Sequence, residues 1–212
     1  NNGLDVNWNK KNSILKITQL AGNARAFFLG GELKNLNIIF KGFGKPLEKF
    51  TNSFDKRGLT GCLSFIDVHL HKISIKSSET NCEDSINFIT TNGQIENINV
   101  DTTAFDAIDG DFSNLKFKNI LINKSGNDCL DVSYGKYIVE NLIVDGCGDK
   151  GISAGERSYV SAKNINIKNT SIGIASKDGS TTELKNVKID NVDTCISLYK
   201  KKTRIFWQHS YS

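Results

Sequence analysis

IENINV (residues 95–100), FKNILI (117–122), VENLIV (139–144), AKNINI (162–167) and LKNVKI (184–189) repeat one six-residue pattern: apolar, polar, Asn, apolar, variable, apolar. LKNLNI (33–38) and LHKISI (70–75) carry it toward the N-terminus, the latter with Lys72 in the Asn place. From Asn97 onward the third positions, Asn97, Asn119, Asn141, Asn164 and Asn186, follow one another at 22, 22, 23 and 22 residues. A period of this size marks a solenoid. The segments alternate in twos and favour Ile and Val, which is strand chemistry and not the 3.6-residue period of helical repeats. The LxxLxL pattern of leucine-rich repeats is absent.

A second alternating segment follows each first one, around Ile86, Ile108, Leu130, Ile152, Ile174 and Ile196. Two or three short strands in about 22 residues make one coil of a β-solenoid. The expected fold is therefore all-β: a right-handed parallel β-helix of roughly seven to eight coils stacked about 4.8 Å apart. Ile86 and its counterparts should form one inward column, and the repeated Asn should stack at a turn with amides bonded from coil to coil. Residues 1–202 read as one domain. Residues 44–60 break the period and read as an inserted loop, which either lines a binding face or covers the first coils. Residues 203–212, with Phe206, Trp207 and Tyr211, read as a tail that plugs the open end.

The chain has 212 residues, 38% hydrophobic and 24% charged, enough for one well-buried domain. No stretch approaches the roughly 18 apolar residues of a membrane span. The lack of Met and of a charged-then-apolar leader suits a mature or excised chain. Five Cys without CxxC spacing look too sparse for a disulfide scaffold and unsuited to zinc. Cys129 and Cys195 share a column but lie three coils apart, too far to bridge. Net charge is +4, yet residues 79–131 hold 10 acidic and 3 basic side chains between basic ends. That acidic centre opposes a phosphate-binding stripe, so no nucleic-acid partner is expected.

Aspartates gather at the second segment: FDAIDGD (105–111), NDCLDVS (127–133) and GDKGISAGE (148–156). Asp84, Asp106, Asp128 and Asp149 recur at 22, 22 and 21 residues, which places them near one level. Asp109 and Asp131 alternate with Ile108 and Leu130, so they should face outward, with Asp111. Ala107, Cys129, Gly151 and Gly173 are read as outward too, leaving room for a ligand to lie across the coils. Stacked carboxylates about 5 Å apart repel by roughly 3 kcal/mol at an effective dielectric of 20. A shared proton, a calcium ion, or Lys150 and Lys177 would each relieve this. The plain alternative is that these aspartates cap turns by accepting backbone N–H groups. His69 and His71 form an outward pair that admits a metal, though two exposed imidazoles are the simpler reading.

At these residues the chain resembles the pectin-lyase-like right-handed β-helix polysaccharide enzymes, most of all the polygalacturonase-like glycoside hydrolases. That family carries NTDGID, GDDC and GHG on three successive coils, where this chain has AFDAID (104–109), GNDCLD (126–131) and GDKGIS (148–153). The resemblance implies that Asp106 and Asp128 activate water. Asn127 stands in the general acid's place and Asp149 in the histidine's. The substrate-binding RIK segment has only Lys177 to answer it, displaced by two residues. The active-site motif is thus a degenerate one.

The resulting expectation is a carbohydrate-active protein that binds, and cleaves or modifies, an acidic polysaccharide along an Asp-rich groove. Asp106, Asp128 and Asp149 are the candidate catalytic residues, and Asp109, Asp111, Asp131, Lys150 and Lys177 the candidate substrate ligands. No resident metal is called for, calcium being the one admissible ion. The alternative is a non-catalytic glycan-binding or structural module of a larger surface or tail-fibre protein. Either reading places the protein outside the cell or at its surface.

Overall fold

In a computed structural model, residues 3–44 and 54–200 are described. Of these, 74% are strand, wound into a parallel β-solenoid of about eight turns. There is no α-helix among the described residues, only a 3₁₀ turn at Lys10–Asn12. The predicted tail, residues 203–212, lies outside the described residues, as do residues 45–53 of the predicted loop.

Equivalent residues stack in register. Asn97, Asn119 and Asn141 pair in succession, as do Ile98, Ile120, Leu142, Ile165 and Val187. Residues of positive φ recur at the coil spacing and turn the chain at its corners. One such column holds Thr102, Lys124, Gly146, Asn169 and Asn191; another holds Thr90, Phe112, Tyr134, Arg157 and Asp178. A left-handed backbone costs a residue with a Cβ about 1–2 kcal/mol, so these corners persist because stacking on both sides dictates them. Three strands, Lys136–Ala154, Tyr159–Lys177 and Thr181–Tyr199, run through corners, with a register shift between Cys147 and Lys150 where the first meets the second.

The interior is a set of apolar columns. Ile86, Ile108, Leu130, Ile152 and Ile174 stack in register and are fully buried, as the alternation predicts, whereas Ile196 pairs with Ile174 on the last described coil, has no described coil above it and is exposed. Phe28, Phe65 and Phe88 stack ring on ring, with centroids 5.1 Å apart at each step. Each such side chain contributes roughly 1.5–3 kcal/mol by burial. The expected Asn ladder is present. Asn119 donates to Asn97 (3.1 Å), Asn141 to Asn119 (3.0 Å), Asn164 to Asn141 (3.0 Å) and Asn186 to Asn164 (3.1 Å). Its first rung differs from the sequence reading: Ser74, not Lys72, pairs with Asn97 and accepts its amide. Lys72 takes positive φ at a register shift and falls out of the column.

Three further features depart from the sequence reading. First, Leu4–Asn9 runs antiparallel to Ile14–Gln19, so a hairpin and not a parallel coil begins the solenoid. Second, Ala107, Cys129, Gly151 and Gly173 turn inward rather than outward. Ala107 and Cys129 are fully buried, and a Cβ on Gly151 would meet the Ile167 side chain at 2.8 Å. The strand start thus has two consecutive inward residues, which strict alternation does not allow for. Third, four of the five cysteines pair, as Cys62–Cys82 and Cys129–Cys147. Each bridge joins this inward position to the corner of the following coil. The contact is invisible to a search for equivalent columns. The described end of the inserted loop packs on the first coils: Arg57 lies 5.0 Å over the Phe27 ring, and Arg25 donates to the Thr60 carbonyl.

Candidate functional site: a face of stacked carboxyls

Short strands Asp84–Ile89, Asp106–Asp111 and Leu130–Ser133, continued by the ends of Lys136–Ala154 and Tyr159–Lys177, build one face. Their outward positions form three columns. The first holds Asp84, Asp106, Asp128 and Lys150. The second holds Ser64, Asn87, Asp109, Asp131, Ser153 and Ala175. The third begins with Ile66 and Ile89, then Asp111 and Ser133. Six of the expected acids, counting Asp84, therefore share one face across three coils.

Asp149 does not join them. The 21-residue spacing from Asp128 puts it one place short, and Lys150 fills the column instead. The Asp149 carboxylate turns to the Lys150 ammonium. The substitution of a base for an acid has a local consequence. Lys150 donates to Asp128 through its backbone N–H at 3.0 Å and its ammonium at 3.3 Å. The same cap recurs one coil earlier, where the Asp128 N–H donates to Asp106 Oδ1 at 2.8 Å and the Asn127 amide at 2.7 Å. The turn-capping role is thus real for both residues. Both of these donors to Asp106 use Oδ1.

Stacked charge is relieved in two ways along the face. At the C-terminal end lysines do it: Lys150 serves Asp128 and Asp149, and Lys177 lies 3.8 Å from Asp131. Both lysines are buried, so they neutralise acids before they meet any ligand. Lys150 is held above its ordinary pKa; burial opposes this, but the Asp149 bond and the Asp128 charge prevail. At the N-terminal end burial favours the neutral form of the acids. Burial lifts Asp84 to about 7 against a hydrogen bond from Thr60, and the Asp106 charge adds to the lift. Burial likewise lifts Asp106 to about 7 in spite of the Asp128 N–H. Asp109 is raised well above the carboxylate range by burial and by the charges of Asp84, Asp111 and Asp131. Asp111 is raised by burial. Asp128 is also raised, burial and Asp131 outweighing Lys150.

The face is more closed than a shallow groove. Asp84, Asn87, Asp128 and Ser153 are buried, whereas Asp106, Asp109, Asp111 and Asp131 are half-buried. The second column keeps polar atoms without hydrogen-bond partners: Ser64 Oγ, Asn87 Oδ1, Asp131 Oδ1 and Ser153 Oγ. Sequence reasoning missed Asn87, whose amide donates to Asp109 at 2.5 Å and to Asp84 at 3.4 Å. Counting 22 residues back from Asp109 would have found it. It also missed an aromatic pair bordering the third column, Phe112 and Tyr134, stacked at 4.8 Å with rings 4° from parallel and exposed.

Among the described residues, one trio of His, Cys, Asp or Glu brings its ligand atoms within 4.8 Å of one another, and it lies elsewhere, at Glu32, His69 and His71. No protein-family model, curated protein or solved structure matches the chain.

Proposed function

We propose that the carboxyl face binds a polysaccharide laid across the coils, and that binding rather than cleavage is its main role. The observation that carries this is the register stacking of polar side chains, Asn87, Asp109 and Asp131 beside Asp106 and Asp111, on one face of successive coils. Polar side chains stacked at the coil step of about 4.8 Å, the scale of one sugar ring, fit a ligand with evenly spaced hydroxyls. The carboxyls of Asp106, Asp109 and Asp111 add hydrogen-bonding groups, and Phe112 and Tyr134 add an apolar rim of the kind that flanks polar groups in ligand sites. The two disulfides suit an oxidising compartment, in keeping with an extracellular or surface location.

Acid hydrolysis of the polygalacturonase type is the second reading, favoured by one observation. Burial lifts Asp106 to about 7, toward the range of a general acid, and its donors Asp128 N–H and Asn127 both use Oδ1. Against it, Asp128, which the resemblance makes a water activator, is buried and held by Lys150. Affinity electrophoresis against uronate-rich and neutral glycans at pH 5 and pH 8, with reducing-end assays on the same mixtures, separates the readings. Binding without new reducing ends supports the first. New reducing ends that vanish in Asp106→Asn while retention persists support the second. Folded protein retained by no glycan at either pH removes both.

A further inference from the structure

The geometry points to a zinc site at Glu32, His69 and His71, on the outer surface of the coils that flank the inserted segment. His69 and His71 are two apart on the strand His69–Thr80, so both imidazoles leave the same side of the sheet. The strand Glu32–Lys34 lies beside it in parallel, with Glu32 opposite His69 and Lys34 opposite His71. This register brings Glu32 Oε1 to 2.6 Å from His71 Nε2, and the two imidazole rings meet edge-on at 4.4 Å. One donor atom from each residue lies within 4.8 Å of the other two.

Two imidazoles and one carboxylate with an open side make a donor set that zinc takes, a water completing the tetrahedron. The carboxylate is already oriented: Lys34 donates to Glu32 Oε2 at 2.7 Å. Lys34 occupies Oε2 and leaves Oε1 to the ion, the arrangement by which an outer partner orients a ligating carboxylate. In the absence of metal, the His71–Glu32 hydrogen bond holds two of the three ligands in place. An ion there would join coils whose register partners Glu32 and His69 are 37 residues apart in sequence. It would close the break in the repeat much as a cross-link closes a loop.

The test is titration of the full chain with Zn²⁺ by calorimetry, together with the visible spectrum of the Co²⁺ form. One equivalent should bind, Co²⁺ should give the intense absorption of a four-coordinate site, and zinc should raise the melting temperature. His69→Ala, His71→Ala and Glu32→Gln should each weaken binding by at least about tenfold. All three side chains are on the surface, and circular dichroism of the metal-free variants checks that they fold. A wild-type chain that binds no zinc overturns the inference. So does zinc bound equally well by the His69→Ala/His71→Ala double variant, since the ion would then reside elsewhere.

Discussion

Asp106→Asn should stabilise the protein at pH 8 and leave its stability nearly unchanged at pH 4. Asp106 has a folded pKa of about 7 against 3.8 for the free side chain, burial being the main cause. Between those values the folded chain holds a proton that the unfolded chain has released, so stability falls as pH rises. The favourable contribution is complete below about pH 4 and lost once pH passes about 7. At about 1.36 kcal/mol per pH unit, the full span corresponds to roughly 4 kcal/mol. Asp106 is half-buried, and screening by water at an effective dielectric near 20 brings the figure to about 2 kcal/mol. The amide is close in shape to the protonated acid. Its Oδ1 can still accept from the Asp128 N–H and the Asn127 amide, so no cavity or lost cap offsets the gain. Neutralising Asp106 also removes a charge that raises Asp84. Urea denaturation followed by circular dichroism at pH 4 and pH 8 reads the difference directly. If the midpoint shift between wild type and Asp106→Asn is the same at both pH values, Asp106 is not held protonated by the fold and the charge argument fails.

Four other outcomes follow from the same geometry. Asn141→Ala removes a rung that both donates and accepts, so it should cost about 1–2 kcal/mol, more than Asn186→Ala at the ladder's described end; urea midpoints compare them. Reducing the disulfides should cost about 3 kcal/mol for each closed loop of 18–20 residues, seen as a lower melting temperature that Cys129→Ala/Cys147→Ala reproduces in part. Gly146→Ala should cost about 1–2 kcal/mol through its positive φ alone, because the added Cβ meets nothing nearer than 3.8 Å. Gly126→Ala should be far worse and yield little folded protein, because its Cβ would collide with the Ala104 carbonyl oxygen of the preceding coil.

Period and register were legible because a solenoid writes each contact into the sequence once per coil. Asn97 to Asn186 and Ile86 to Ile174 are spaced as they stack, so counting residues was equivalent to measuring contacts. The acid face was legible for the same reason, and five of the six predicted groove aspartates lie on it. Failures occurred where one residue is gained or lost. A spacing of 21 hid the exchange of Asp149 for Lys150, and a register shift near Lys72 hid Ser74 as the first rung. Contacts between unlike columns were not legible at all. Cys129 with Cys147 and His71 with Glu32 depend on corner geometry and on neighbours across the inserted segment. Charge state was equally hidden, since it depends on how deeply each carboxyl sits.

The exchange at Lys150 gives the face a direction. On the N-terminal side, burial favours the neutral form of Asp84, Asp106, Asp109 and Asp111. On the C-terminal side, Asp128 and Asp131 face Lys150 and Lys177. A bound chain would meet neutral donors at one end and ion pairs at the other, so the two orientations of a polar polymer are not equivalent. The neutral end is also the part that acid pH preserves and alkaline pH ionises. An anionic chain would be tolerated there only while those carboxyls keep their protons, whereas a neutral glycan would feel the change mainly as donors becoming acceptors. Comparing uronate-rich with neutral glycans across pH therefore tests the assigned charge state as well as the ligand class.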